Sequence, residues 1–285
     1  MTGRAMLGRT RDTARVSARG VASNLQRVSS SVTHRDQLIC LDLHEHRVLT
    51  TEQIFELHFA SIQRARARLS KLHELGVVWR SRPRALLGSL PWHYTLDEIG
   101  AWIVAEHLGI DRRLVSYRQD RTRALVDTPR LEHARAANSF FTRLCHVART
   151  TPGPLRVGEW RGEEWCARRW QTHVRPDGFA RIDHVDGSLE FVLEMDMGTE
   201  RLSRLETKME RYRIMAKAAT APDVVLFCFS PEGREASARP ALEGTPMPVA
   251  TATLERHLSD PFGRNWLSLG ADRRVPLTEL GRRGT

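Results

Sequence analysis

Lysine is nearly absent from this chain. Lys71, Lys208 and Lys217 are its three lysines, so 41 of the 44 basic residues are arginine. A GC-rich genome alone produces such a bias, so the formal charge of +10 does not by itself identify a ligand. Cysteine is scarce as well. Cys40, Cys145, Cys166 and Cys228 stand far apart and form no CxxC pair. That excludes a small disulfide framework and fits a reducing cytoplasm. No apolar run approaches the roughly 18 residues of a membrane span, and no membrane partner is expected. The opening MTGRAMLGRTRD lacks the apolar core of a secretory leader. GxxxxGK[ST], GxGxxG, GxSxG and HExxH are all missing, which sets aside a nucleotide-driven motor, a serine hydrolase and a helical zinc protease. Three tyrosines (Tyr94, Tyr117, Tyr212) leave little for a tyrosine-nucleophile relaxase.

What is present suffices for two domains. The chain has 285 residues, 41% of them hydrophobic. Charge is unevenly spread: residues 1–130 hold 21 basic against 13 acidic side chains, and residues 131–285 hold 23 against 21. Residues 1–33, with Arg4, Arg9, Arg11, Arg15, Arg19 and Arg27 against Asp12, read either as a basic arm that touches phosphates or as a terminus with no specific role.

Residues 34–110 read as a helical unit. Leu38 and Leu41 mark a first helix ending near Arg47. Thr50 or Thr51 caps a second, carrying Ile54, Phe55, Leu57 and Phe59. Ser61 caps a third, whose apolar positions Ile62, Ala65, Leu69, Leu72 and Leu75 recur at three and four residues, with Gly76 as its stop. Arg64, Arg66, Arg68 and Lys71 crowd this helix. Val77–Trp79 and His93–Leu96 predict two strands around a basic loop with Arg80, Arg82 and Arg84, and a last helix runs from about Asp97 to Leu108. That order is the order of a winged helix-turn-helix, and its basic residues sit on the two elements that would face DNA. The bland alternative is a helical bundle that binds a protein.

A polar connector at 111–130 leads to a second unit at 131–285. A helix over Arg130–Ala148 is followed by strands at Leu155–Trp160, Gly178–Ile182 and Leu189–Met195, the last two joined by an Asp186-Gly187 turn. Thr199 is expected to cap a helix through about Ala218, and Asp223–Phe229 reads as a buried central strand. Trp160, Trp165 and Trp170 recur every five residues, on neither one helix face nor one strand face, and read as core and domain-junction residues. His44, Glu45 and His46 read as a surface helix end. The fold class is thus α+β, with a winged helix-turn-helix followed by an α/β domain with a central mixed sheet.

The chemistry-bearing stretch is Arg175-Pro176-Asp177-Gly178 with Val192-Leu193-Glu194-Met195-Asp196. The 17-residue spacing from Asp177 to Glu194 fits a hairpin that brings both acids to one end of neighbouring strands. Two carboxylates there suit Mg²⁺ or Mn²⁺, and Asp196, two residues on, shares the face of Glu194. The alternative is surface ion pairing at strand ends.

These residues resemble the core of the PD-(D/E)xK nuclease superfamily, with Pro176-Asp177 as its first element and Glu194 as its second. The lysine that the resemblance expects after Glu194 is Asp196 here, and Lys208 on the next helix is the substitute. The resemblance implies Asp177, Glu194 and Lys208 as catalytic residues. Asp177, Glu194, Asp196 and Glu132 would be metal ligands, with His133 a further metal or phosphate contact.

A narrower resemblance spans about residues 35–270. Leu49-Thr50-Thr51-Glu52-Gln53, Ala65–Leu72, Leu75–Arg80, Leu131-Glu132-His133 and LEMDMGTE with Lys208 and Tyr212 look like the replication-relaxation family of actinobacterial plasmids and mobile elements. It implies a double-stranded-DNA-binding protein acting in replication, DNA relaxation or transfer. Two alternatives stay open: an active metal-dependent endonuclease, or a silent transcription or replication regulator. A homodimer on two half-sites and replication or conjugation proteins are the expected partners.

Overall fold

The computed structural model describes residues 31–82, 90–115, 128, 130–170, 174–218, 220–244 and 246–280. The basic arm to residue 30, Arg84 in the loop and most of the connector lie outside the described residues.

The first unit begins with α1 (His34–His46), where Thr33 and Asp36 form a reciprocal capping box. β1 (Leu49–Thr50) leads directly into α2 (Thr51–His58), capped in the same way by Thr50 and Gln53. Ser61 caps α3 (Ile62–Glu74), which buries Ala65, Leu69 and Leu72 at the expected spacing. β2 (Val78–Ser81), β3 (His93–Leu96) and α4 (Glu98–Leu108) complete the unit. The antiparallel sheet has the order β1-β3-β2, so the ribbon read from the sequence gains a third, two-residue strand. Ile39, Leu43, Leu49, Ile54, Leu69 and Val77 meet in its core.

The second unit opens with α5 (Arg130–Thr150). β4 (Arg156–Gly162), α6 (Glu163–Trp170), β5 (Gly178–His184) and β6 (Gly187–Asp196) follow. Then come α7 (Leu202–Met215), β7 (Val224–Phe229), α8 (Gly233–Ala238), β8 (Val249–Thr253), α9 (Leu254–Ser259) and β9 (Leu267–Ser268). The six-stranded sheet runs β4-β5-β6-β7-β8-β9. β4, β5 and β6 are antiparallel, β6, β7 and β8 parallel, and β9 antiparallel again, so the sheet is mixed as expected. Every residue of β7 is buried, which explains its continuous apolar sequence. One sheet face packs Phe191 and Leu193 against Phe140 and Phe141 of α5. The other packs Val192 and Phe227 against Leu205, Met209 and Tyr212 of α7. The N-terminus of α7 departs from the sequence reading: Arg201 is the cap residue, with no side-chain cap bond, and Leu202 is 37% exposed.

The two units share a polar and aromatic seam along α5. Gln53 donates its side-chain amide to Arg135 O and to Ser139 Oγ, both at 2.9 Å. Asn138 donates to Val48 O at 2.8 Å, and Thr142 donates to Glu56 at 2.6 Å. His46 stacks on Trp160 at 3.5 Å between centroids, Trp160 stacks on Phe141, and Glu45 accepts the Gly162 N–H at 3.0 Å. Trp160 touches both cores, in keeping with its reading as a junction residue. The surface reading of His44-Glu45-His46 is corrected: His46 is 7% exposed, because β4 closes over the end of α1. Among the described residues no helix is long and apolar enough to cross a membrane.

Burial opposes the charged imidazole and lowers the His46 pKa to about 4. The unfolded chain therefore takes up a proton here between about pH 6.5 and pH 4 that the folded protein refuses, and stability is lost as pH falls through that window. His46→Phe keeps the stack and is expected to shrink this acid loss. Urea titrations at neutral and mildly acidic pH measure it, and an equal loss in variant and parent would contradict the assignment.

Candidate functional site

Asp177 stands at the entry to β5. Its N–H donates to Leu193 O at 2.9 Å, and its Oδ2 accepts the Met195 N–H at 2.8 Å. The register pairs Gly178 with Leu193, so one further step sets Asp177 beside Glu194. The strand starts so close beneath α5 that a Cβ at Gly178 would stand 2.4 Å from the Phe141 ring. Glycine is needed there for this close approach. From α5, His133 Nε2 meets Asp177 Oδ1 at 2.8 Å.

Glu194 lies near the C-terminal end of β6, two residues before its last, and its side chain is 3% exposed. Lys208 Nζ donates to its Oε2 at 2.7 Å and Tyr212 OH donates to its Oε1 at 2.5 Å. Lys208 and Tyr212 are four residues apart on α7 and so share one helix face. Lys208 also meets Glu200 at 3.7 Å. Asp177, Glu194 and Lys208, proposed from spacing and resemblance, thus form one cluster, joined by His133 and Tyr212.

Two other expected ligands are held elsewhere. Asp196 accepts from Arg234 Nε at 3.1 Å and from the Gly198 N–H at 2.6 Å, which closes the turn after β6. Glu132 is 69% exposed and pairs with Arg135, because the phase of α5 turns its neighbour His133 toward Asp177 instead. Arg234 had no sequence signal, since it arrives through β7 and the start of α8.

Burial raises the Glu194 pKa, Lys208 opposes that rise, and the Asp177 charge adds to it. Burial works against the Lys208 ammonium, but Glu194, Asp177 and Glu200 outweigh it and the net shift is upward. Burial and then Glu194 keep the Tyr212 phenol protonated well above its usual range. The hydrogen bond to Asp177 raises the His133 pKa against an opposing effect of burial.

A divalent cation needs several hard oxygens with lone pairs aimed at one point. Here both Glu194 oxygens and both Asp177 oxygens are engaged by protein partners, and Asp196 and Glu132 point away. Among the described residues no group of three or more His, Cys, Asp or Glu side chains is arranged to hold a metal ion. A cation bound here would have to share the Asp177 and Glu194 oxygens with the protein donors that already bond them. The cluster's more accessible groups are the basic ones, with His133 40% and Lys208 28% exposed and the carboxylates 16% and 3%.

The basic residues of the first unit divide. Arg64, Arg66 and Lys71 are exposed on α3. Arg68 is not available in the same way: its guanidinium grips Asp36 through both oxygens and donates to Ser31 O at 2.7 Å. Asp36 is fully buried, and although burial pushes its pKa up, Arg68 and the Thr33 cap bring the net shift down. Arg68 therefore anchors α3 to the start of α1. Arg80 lies within β2 and Arg82 just beyond it, their guanidiniums 4.6 and 4.7 Å from the Trp92 ring centre.

The His133–Asp177 contact has a measurable sign. An imidazole with a raised pKa stabilises the fold fully below its unfolded value near 6.5, and that contribution disappears as pH rises through the folded value. In a proton NMR titration, His133 is expected to titrate above 6.5 and to move down in Asp177→Asn. An unshifted midpoint in that variant would refute the dyad.

The comparisons with known proteins agree with the sequence resemblance at the level of family. No curated protein and no solved structure matches the chain. The family model described as replication-relaxation matches residues 41–224, which runs from α1 to the first residue of β7 and takes in both the basic helix and the Asp177–Glu194–Lys208 cluster. The chain belongs to the replication-relaxation family.

Proposed function

We propose that this protein binds double-stranded DNA of a plasmid or mobile element through a winged helix-turn-helix and acts there in replication, relaxation or transfer. The observation that carries the reading is the outer face of α3, where Arg64, Arg66 and Lys71 are exposed while Ala65, Leu69 and Leu72 fix the helix to the core. A helix of this kind fits the major groove, and arginine and lysine grip phosphates or guanine edges. The ribbon arginines, stacked on Trp92, stand beside it as a wing. A homodimer on two half-sites, and replication or conjugation proteins, are the partners this reading brings with it.

In fluorescence anisotropy with a labelled duplex, Arg64→Glu combined with Lys71→Glu is expected to weaken binding. The slope of log affinity against log salt should flatten by about 2, roughly one per lost phosphate contact. Unchanged affinity and slope would sink the assignment.

The second unit is read as nuclease-like, with its polar cluster acting as a charge-compensated scaffold. Convergence of Asp177, Glu194 and Lys208 favours one rival, a Mg²⁺- or Mn²⁺-dependent endonuclease. That rival requires Lys208 and Tyr212 to release Glu194. On the scaffold reading, supercoiled plasmid stays intact with either metal. Metal-dependent nicking that disappears in both Asp177→Ala and Glu194→Ala would overturn it.

A further inference from the structure

Between α3, the end of β2 and α5 the two units leave an open cleft of about 670 Å³. Four arginines line it: Arg66 of α3, Arg82 after β2, and Arg135 and Arg143 of α5. Arg135, Ser139 and Arg143 follow one another at four-residue steps, so they form one stripe along α5. Gln53 spans the base, bonded to Arg135 O and Ser139 Oγ. The acids that face the same space are Glu52 and Glu56, the latter bonded to Thr142. Four guanidiniums against two carboxylates leave the cleft cationic. Arg135 also pairs with Glu132 at 3.2 Å on the surface, and Arg143 donates its Nε to Leu258 O at 2.9 Å.

We propose that this cleft holds the phosphodiester backbone of the duplex that α3 reads, so that α5 of the second unit is part of the DNA-binding surface. The inference rests on the DNA-binding reading above. A helix seated in the major groove has a sugar–phosphate strand on either side of it. Arg66 belongs both to the exposed face of α3 and to the wall of the cleft. A duplex docked on α3 therefore presents one of its flanking strands to the α5 stripe. Guanidiniums suit that strand because their planar forks match phosphate oxygens. The seam holds α5 against α2, so the stripe is set in place before DNA arrives.

The test uses the full chain and a labelled duplex over a series of salt concentrations. Arg135→Gln is expected to reduce the salt slope by about 1 and to weaken binding to every duplex sequence alike. Arg135→Lys is expected to restore the slope, since it keeps the charge. Arg181→Gln on β5 serves as the control and is expected to change neither quantity. If Arg64→Gln lowers the slope and Arg135→Gln does not, the cleft is not a backbone site, although the reading of α3 stands. If no variant moves the slope, or duplex is not bound at all, the DNA-binding reading falls and this inference with it. Tighter binding of single strands with the same dependence on Arg135 would also overturn the inference.

Discussion

The arrangement of this molecule depends on how α5 satisfies the backbone of the unit before it. Where two small cores meet, backbone carbonyls are shut away from water at the seam, and a buried carbonyl without a donor costs about 1–3 kcal/mol. Asn138 supplies the donor for Val48 O, and Gln53 supplies one in return for Arg135 O. These bonds run between elements some 80 to 90 residues apart in sequence. The His46–Trp160–Phe141 stack adds an apolar contact between the two cores. The orientation of α3 relative to the mixed sheet follows from that joint.

The polar cluster where β5 begins and β6 ends illustrates a second economy. An isolated buried carboxylate is costly, and removing one partner of a buried pair typically costs about 3–5 kcal/mol. Glu194 is therefore tied to two donors from one helix face, and α7 is held to β6 through a polar contact amid its apolar ones. The same bonds that secure the helix each take up one lone pair of the Glu194 carboxylate, so packing and any chemistry at this side chain draw on the same two oxygens.

Much of this was legible in the sequence, and the parts that were not share a physical cause. Helical spacing gave α3 its buried side and its exposed arginines, and the continuous apolar run gave β7. The spacing of Asp177 and Glu194, with the resemblance that added Lys208, foretold their meeting. What failed was phase and long-range pairing. Glu132 and His133 differ by a turn of about 100° on a helix, and their roles are decided by which side the sheet lies on. Arg68 reads as one more basic residue until Asp36, 32 positions earlier, is seen beneath it. His46 reads as a surface residue because Trp160, which covers it, comes more than 100 positions later. The two-residue β1 is too short to announce itself by alternation.

The faces of α5 also limit how this chain can change in length. His133 reaches Asp177, Asn138 reaches the first unit, and Phe140 and Phe141 pack on the sheet. One residue inserted between His133 and Asn138 would rotate everything before it by about 100° relative to everything after it, and would shift it by about 1.5 Å. No single setting of the helix could then meet all three neighbours. Divergent members of such a lineage are free to vary in the loops on either side of α5, whereas the reading frame of the helix itself is locked by contacts made in three directions.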